Sequence, residues 1–370
     1  MFMFLMWRKL RWGSVLAAVL FSVQGLVWHS VYGQQAESQG GDTVQSASDS
    51  AGQVEWGKVL NLGRTINSTL SEYRPRVSTD GKTLYLCRKV ADPSARLKFY
   101  RLLGVNYGDF MRMSQAARER KITQRITSME PSELLELLTL LGEVDGHEDI
   151  YVSQLDSIEW SPARSAGYPL STAVSNEGPE SISTDNNQMF VFKDGDIYLT
   201  HRFGDRWSSL TKVEEPINSS AWDADICFSA DGRTLFFASR RPGFTTSWSE
   251  TGKNIDIWVT VKNDSGWGEP VNLGPTINTT KTDRTPFLHA DGRTLYFASD
   301  GNGGQGGMDL FKTTRLSDSS WTAWSEPINL TPLNSPSDDW DLSMPANSEW
   351  AYFASARDGG LGLYDIYKYR

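Results

Sequence analysis

Apolar and polar positions recur in this chain as one pattern read five times. Each copy opens on a short strand signal carrying a Trp: Trp56, Trp160, Trp207, Trp267 and Trp324. A polar residue follows ten to twelve positions later, at Asn67, Thr172, Asn218, Asn278 and Asn334. Five residues further on comes an acid, at Glu72, Glu177, Asp223, Asp283 and Asp339. Thirteen after the polar residue comes a turn, at Asp80, Asp185, Asp231, Asp291 and Asn347, and three of these turns read Asp-Gly. Asp-Gly between apolar runs is a strong hairpin signal. Runs such as Leu235-Phe236-Phe237-Ala238 and Leu295-Tyr296-Phe297-Ala298 then read as buried strands. Each copy closes on a strand that starts like Asp256-Ile257-Trp258 or Asp365-Ile366-Tyr367.

The pattern supplies about four strands per copy, with 47 to 60 residues between successive Trp strands from Trp160 onward. That is the size of one propeller blade. The spacing predicts an all-β fold, a five-bladed β-propeller, with six blades as the alternative. The folded part starts on a strand near Trp56, and the last copy ends at Arg370 with no Trp strand after Tyr367. Pairing the surplus strand Trp56–Leu62 with the last copy closes the ring and removes an open sheet edge. An open, solenoid-like stack is the competing arrangement.

The segments WGEPVNLGPTIN, DRTPFLHADGRTLYFAS and GGMDLF resemble the WD-like repeats of TolB-type β-propellers of the bacterial cell envelope. The resemblance covers roughly 56–90 and 147–370. It implies a propeller that binds an envelope protein or peptide, and a periplasmic, outer-membrane-associated or secreted location. The chain carries five copies where TolB-type propellers usually have six.

One copy is interrupted. Residues 91–146 replace a short loop of the first blade, and their pattern turns helical. The stretch SQAARERKITQRI favours helix, and Pro131 ahead of LLELLTLLG reads as a helix start with Gly142 at its end. Residues 91–128 carry eight Lys and Arg against three acids, while 129–146 carry five acids and no base. Strand geometry places this insertion on the face that carries the five acids. It is expected to act as a lid or docking arm, or as a cap that buries Leu134, Leu137, Leu138 and Leu141.

The N-terminus reads as an export signal. Arg8, Lys9 and Arg11 precede an apolar stretch, Val15 to Val27, that is short for a membrane span, and Val31-Tyr32-Gly33 suits cleavage. The expected organisation is a signal peptide over 1–33, a flexible Gln/Ser/Gly-rich linker over 34–54, and the propeller over 55–370. Membrane contact is then expected only through export. Losing the signal moves the formal charge from −9 to −12, which argues against nucleic acid as partner. Cys87 and Cys227 occupy different places in their copies and read as buried free thiols.

Candidate chemistry centres on Glu72, Glu177, Asp223, Asp283 and Asp339, predicted to ring the channel mouth. Crowded carboxylates raise one another's pKa and favour a counter-cation. The alternative is that each accepts hydrogen bonds from its own blade's loop, and recurrence in every blade argues for that. Trp222, Trp340, Tyr73 and Arg284 flank the acids, and Trp248 lies in the long loop 240–255; aromatics beside carboxylates suit sugar stacking or capture of a basic peptide. No cofactor is indicated, with Ca²⁺ at Asp300 and Asn302 as the one alternative. No Gly-x-Ser-x-Gly, phosphate loop or His-Glu-x-x-His is present. The expected function is a non-catalytic interaction scaffold. The alternative is a glycan-binding protein or glycoside hydrolase with Asp223 and Asp283 as its carboxylates.

Overall fold

A computed structural model describes residues 57–90, 98, 101–105, 115–134, 136–137, 147–172, 175–242, 254–345 and 349–370. Five antiparallel sheets form five blades. The innermost strands are Glu72–Val77, Glu177–Ile182, Asp223–Phe228, Asp283–Leu288 and Asp339–Ser343. Each touches the innermost strands of both neighbouring blades, so they form a ring around one axis. The second strand of each blade returns through the predicted hairpin. Ser78, Ser183 and Ser229 donate to Asp80, Asp185 and Asp231 at 2.5–2.6 Å, while Gly81, Asn186 and Gly232 adopt the left-handed conformation. Both features tighten a turn that a bulky side chain would strain. The axis thus has a turn end, at these hairpins, and an acid end, where the innermost strands begin.

The Trp positions fall on the outer edges. Trp160, Trp207 and Trp267 lie in two-residue strands that pair with the third strand of the preceding blade, and Trp324 bridges to Arg315. The fifth blade takes its outer strand from the start of the described chain. Leu60 pairs with Lys368 and Asn61 with Tyr367, and Leu62 N–H donates to Ile366 O at 3.1 Å. This closure matches the predicted segment from Gly57 onward; Trp56 itself lies outside the described residues.

The apolar core is divided between the blades. Phe190 and Ile197 of the second blade pack with Ile226, Leu235 and Phe237 of the third. Phe236 and Ile257 of the third pack with Leu295 and Phe297 of the fourth. Leu84 and Leu86 of the first meet Tyr352, Ala354 and Ile366 of the fifth, so the closing interface is as apolar as the others. Strands buried on both faces explain why the second strands lack polar alternation.

The repeated Asn residues tie neighbouring blades together. Asn218 takes Ile197 N–H on Oδ1 and donates Nδ2 to Ile197 O, each at 2.8 Å. Asn278 does the same with Ile257, Asn334 with Leu310 and Asn67 with Ile366. The second copy departs from the expected register: Ser171, not Thr172, makes these bonds, to Ile150. Thr172 instead bonds Glu177, because this loop holds one extra residue.

Residues within 89–147 form a compact unit of their own. A helix spans Gln115–Thr127, with Ile122 and Ile126 on one buried face. Arg125 Nη2 donates to Glu133 Oε1 at 2.7 Å, and a helical turn starts where Leu134 N–H donates to Glu130 O. Leu134 and Leu137 are buried as expected, while Leu138, Leu141 and the signal and linker residues 1–54 lie outside the described residues.

Removing the Asn67 side chain leaves the buried N–H of Ile366 unpaired at the closing blade, while Ile366 O keeps the bond from Leu62 N–H. Asn67→Ala should therefore cost about 2 kcal/mol of stability in urea unfolding. A loss indistinguishable from zero would mean that this bracing contributes nothing.

Candidate functional site

Glu72, Glu177, Asp223, Asp283 and Asp339 have zero exposure. Each closes its own blade's loop. Asp223 Oδ2 accepts from Ser219 N–H and Ser219 Oγ, both at 2.7 Å. The same pair of bonds joins Glu72 to Ser68, Glu177 to Thr172, Asp283 to Thr279 and Asp339 to Ser335. Four of the five also meet a cation from the end of the second strand. These pairs are Arg88–Glu72 at 2.7 Å, Lys193–Glu177 at 3.1 Å, Arg241–Asp223 at 2.8 Å and Arg357–Asp339 at 2.7 Å. In the fourth blade Asn302 stands where the others have a cation, its Nδ2 at 3.4 Å from Asp283 Oδ1. Burial accordingly pushes the Asp283 carboxyl up to about 6. Burial also raises the Glu72 carboxyl, against the hydrogen bonds from Ser68 and the charge of Arg88.

The side chains that converge on the axis are different ones, lying one to four residues further along the innermost strands. Arg74 Nη1 donates to Glu180 Oε1, and its Nη2 lies 3.5 Å from Asp225 Oδ1. Arg74 N–H donates to Asp341 Oδ2 at 3.2 Å, and Arg76 Nη2 reaches Asp341 Oδ1 at 3.4 Å. Arg284 grips Asp225 with two bonds of 2.7 and 2.9 Å. Thr285 N–H donates to Asp225 Oδ2, and Asp341 N–H donates to Thr285 Oγ1, each at 3.4 Å. All five blades contribute, and among the described residues these ion pairs set three guanidinium groups against three carboxylates.

Backbone geometry makes this convergence possible. The innermost strands carry register shifts just after their acids, and Arg74, Asp225, Thr285 and Asp341 sit there at φ between 49° and 57°. Such non-glycine positions cost about 1 kcal/mol or more each and persist only where surrounding contacts hold them. The bulges turn backbone N–H groups toward the axis. In the second blade Pro179 occupies this place, and Gly178 leaves room for the Arg74 side chain, whose Cδ would lie 3.0 Å from an added Cβ.

The surroundings separate the three acids. Burial pushes Glu180 up to about 7, against the pull of Arg74. Burial also raises Asp341. For Asp225 burial works in the same direction, but Arg284 and Arg74 outweigh it and hold the carboxyl below its ordinary range.

Toward the acid end the cluster is covered by aromatics. The Arg284 guanidinium carbon lies 5.2 Å from the Trp222 ring centre and 4.7 Å from that of Trp340, within cation–π range. Trp340 stacks on Tyr73 at 5.8 Å and meets Tyr364 at 5.5 Å, and Arg240 sits over Trp222 at 5.4 Å. Trp222, Trp340, Arg284 and Tyr73 are thus brought together at the acid end of the axis. Trp248 lies outside the described residues. Asp300 and Asn302 are engaged locally, Asp300 Oδ1 accepting from Thr282 N–H at 2.7 Å and Asn302 Nδ2 donating to Ser299 Oγ at 3.0 Å. Among the described residues no group of three or more His, Cys, Asp or Glu is arranged to hold a metal ion. Cys87 and Cys227 are free and buried. No helix among the described residues is long and apolar enough to cross a membrane.

The axial cluster was missed at the level of sequence because it does not follow the repeat. The five positions two past the acid read Arg, Pro, Asp, Thr and Asp. Its one visible signal is a second charge at a strand position that should be apolar, as in Asp223-Ala-Asp225 and Asp339-Trp-Asp341.

No family model matches the chain, and no curated protein matches it. Among solved structures it is similar to TolB from Acinetobacter baumannii, with 13% identity over 82% of this chain and a TM-score of 0.42. The chain spans 55% of the length of that protein. It is similar to a putative TolB from Agrobacterium tumefaciens at 15% identity, over 80% of this chain and 76% of that one, with a TM-score of 0.40. It is also similar to the α-L-arabinofuranosidase PaAbf62A from Podospora anserina, solved with cellotriose, at 9% identity over 83% and 91% of the two chains and a TM-score of 0.41. These likenesses assign no activity to the chain.

The acids of the third and fourth blades should respond differently to neutralisation. Asp223→Asn strips Arg241 of its carboxylate and should cost about 3 kcal/mol at pH 7. Asp283 holds its proton in the folded chain up to about pH 6, against an ordinary value of 3.8. The folded state therefore binds more protons between these values, and stability falls as pH rises through that window, by up to about 3 kcal/mol. Asp283→Asn should remove this part of the slope and gain on the parent protein from pH 4 to pH 7. Parallel unfolding profiles for parent and variant would refute the assignment.

Proposed function

We propose that this chain is a non-catalytic binding propeller of the bacterial envelope that takes a protein or peptide partner at its acid-end mouth. The observation that carries the reading is the Trp222–Arg284–Trp340 stack, with both indoles half-buried and the guanidinium already bound to Asp225. Rigid aromatic faces around a fixed cation lose little freedom on binding, and Trp, Tyr and Arg dominate the energetic centres of protein interfaces. The burial of Asp223 and Asp283 within loops of separate blades supports binding over hydrolysis. A glycosidase needs two carboxyl groups facing one sugar across a fixed gap.

Export through residues 1–33, an envelope location and a docking role for the helical segment 91–146 belong to the same proposal. They rest on the basic and apolar residues of the N-terminus and on the charge division within 91–146.

Affinity capture from native envelope extract tests the reading. The double variant Trp222→Ala/Trp340→Ala should lose at least about ten-fold of the captured partner, with its melting temperature changed by only a few degrees. Equal capture by parent and variant would remove the platform from the interface. Stabilisation by an oligosaccharide that vanishes in the Trp222→Ala protein would replace the protein partner with a glycan.

A further inference from the structure

The turn end of the axis holds a second feature. The innermost strands of all five blades enclose a cavity of about 140 Å³ there. Ile226, Phe287, Leu288 and Met344 give it apolar walls. Arg76 lines it with 11% of its side chain exposed. Glu180 is the one acid among the described residues that line it, and its side chain has no exposed surface. Arg76 donates Nε to Glu180 O, Nη1 to Pro75 O at 2.9 Å and Nη2 to Asp341 Oδ1 at 3.4 Å. A guanidinium has five N–H groups, so one remains on each terminal nitrogen. Two hydroxyl donors line the cavity as well. Ser343 Oγ has no hydrogen-bond partner among the described residues. Ser181 Oγ accepts from Phe228 N–H at 3.1 Å and keeps its own proton to donate.

Uncommitted donors around an exposed guanidinium, set in apolar walls, suit an anion with an apolar body. An ammonium would face the guanidinium unmatched, and inorganic phosphate would lose its hydration against the walls. Size agrees, since an apolar cavity of about 150 Å³ accommodates a benzene-sized group. The charge can also be matched. Burial pushes Glu180 up to about 7, among Arg74, Arg76, Asp225 and Asp341. Once Glu180 is protonated, the axial cluster holds one more guanidinium than carboxylates. We propose that this cavity binds a small apolar monocarboxylate, about the size of benzoate, that accepts from Arg76 and Ser343. Its source is a free acid or the C-terminal residue of a peptide, which present the same chemistry. The site is separate from Trp222 and does not rest on the role proposed for that residue.

Ligand-observed NMR and calorimetry on the full chain at pH 6 and pH 8 test this. The probes are benzoate, benzamide, benzylamine, inorganic phosphate and a tripeptide ending in leucine, with its carboxylate free or amidated. Benzoate should bind at pH 6 with a dissociation constant in the millimolar range or below, as expected of about nine heavy atoms. Benzamide, benzylamine and phosphate should bind at least about ten-fold more weakly. Benzoate affinity should fall at least about three-fold from pH 6 to pH 8, as Glu180 loses its proton. Glu180→Gln should remove that fall, while His289→Gln, at the other titratable group lining the cavity, should keep it. Ala230 lines the cavity and is exposed, so Ala230→Trp narrows the entrance without touching the charged cluster. It should abolish benzoate binding in a protein of unchanged melting temperature. Tighter binding of the free tripeptide than of benzoate, with its amide inert, assigns the carboxylate to a peptide C-terminus; the reverse order assigns it to a free acid. Benzamide, benzylamine or phosphate binding as tightly as benzoate, equal benzoate affinity at the two pH values, or benzoate binding unaffected by Ala230→Trp would overturn the proposal.

Discussion

Three guanidinium groups and three carboxylates, buried where five sheets meet, set the terms for the rest of this structure. Ions taken out of water are tolerated only when each finds a close partner. Here the partners come from different blades: Arg74 of the first meets Glu180 of the second, Asp225 of the third and Asp341 of the fifth. Arg284 of the fourth completes the set on Asp225. Losing the first or the third blade would strand buried charges, Glu180 and Asp341 in one case and Arg284 in the other. The left-handed backbone at Arg74, Asp225, Thr285 and Asp341 is a local cost that this convergence sustains.

Outside the axis the work is divided among simpler interactions. Apolar side chains of adjacent blades interdigitate, and one such cluster joins the first blade to the fifth. Recurrent Asn side chains imitate a strand partner by taking one N–H and one C=O from the neighbouring blade. The recurrent acids then close each blade's loop. An element needed once per blade recurs once per blade, which is why these acids form a regular series and the axial charges do not.

This division gives the two ends of the axis different chemistry. The acid end carries stacked indoles around a neutralised arginine. The turn end has apolar walls beside the guanidinium of Arg76. Both depend on the same network, since Arg284 belongs to the first and Arg76 to the second.

The repeat determined the architecture by itself. Blade number, the hairpin turns at Asp80 and Asp231, and closure by the segment ending at Leu62 all follow from spacing, because strand period, turn chemistry and the cost of an open edge are local or topological constraints. The type of residue at the flanking positions was legible too, and Trp222, Trp340 and Arg284 do meet. What the five acids do was legible only as a choice of two, in which recurrence in every blade argued for the loop contact that is found. The partners themselves came only with folding, which brings Ser219 and Arg241 to Asp223. The axial network lay further out of reach. Its members come from five blades at unlike positions, and their pairing exists only once the ring has closed and excluded water from its centre.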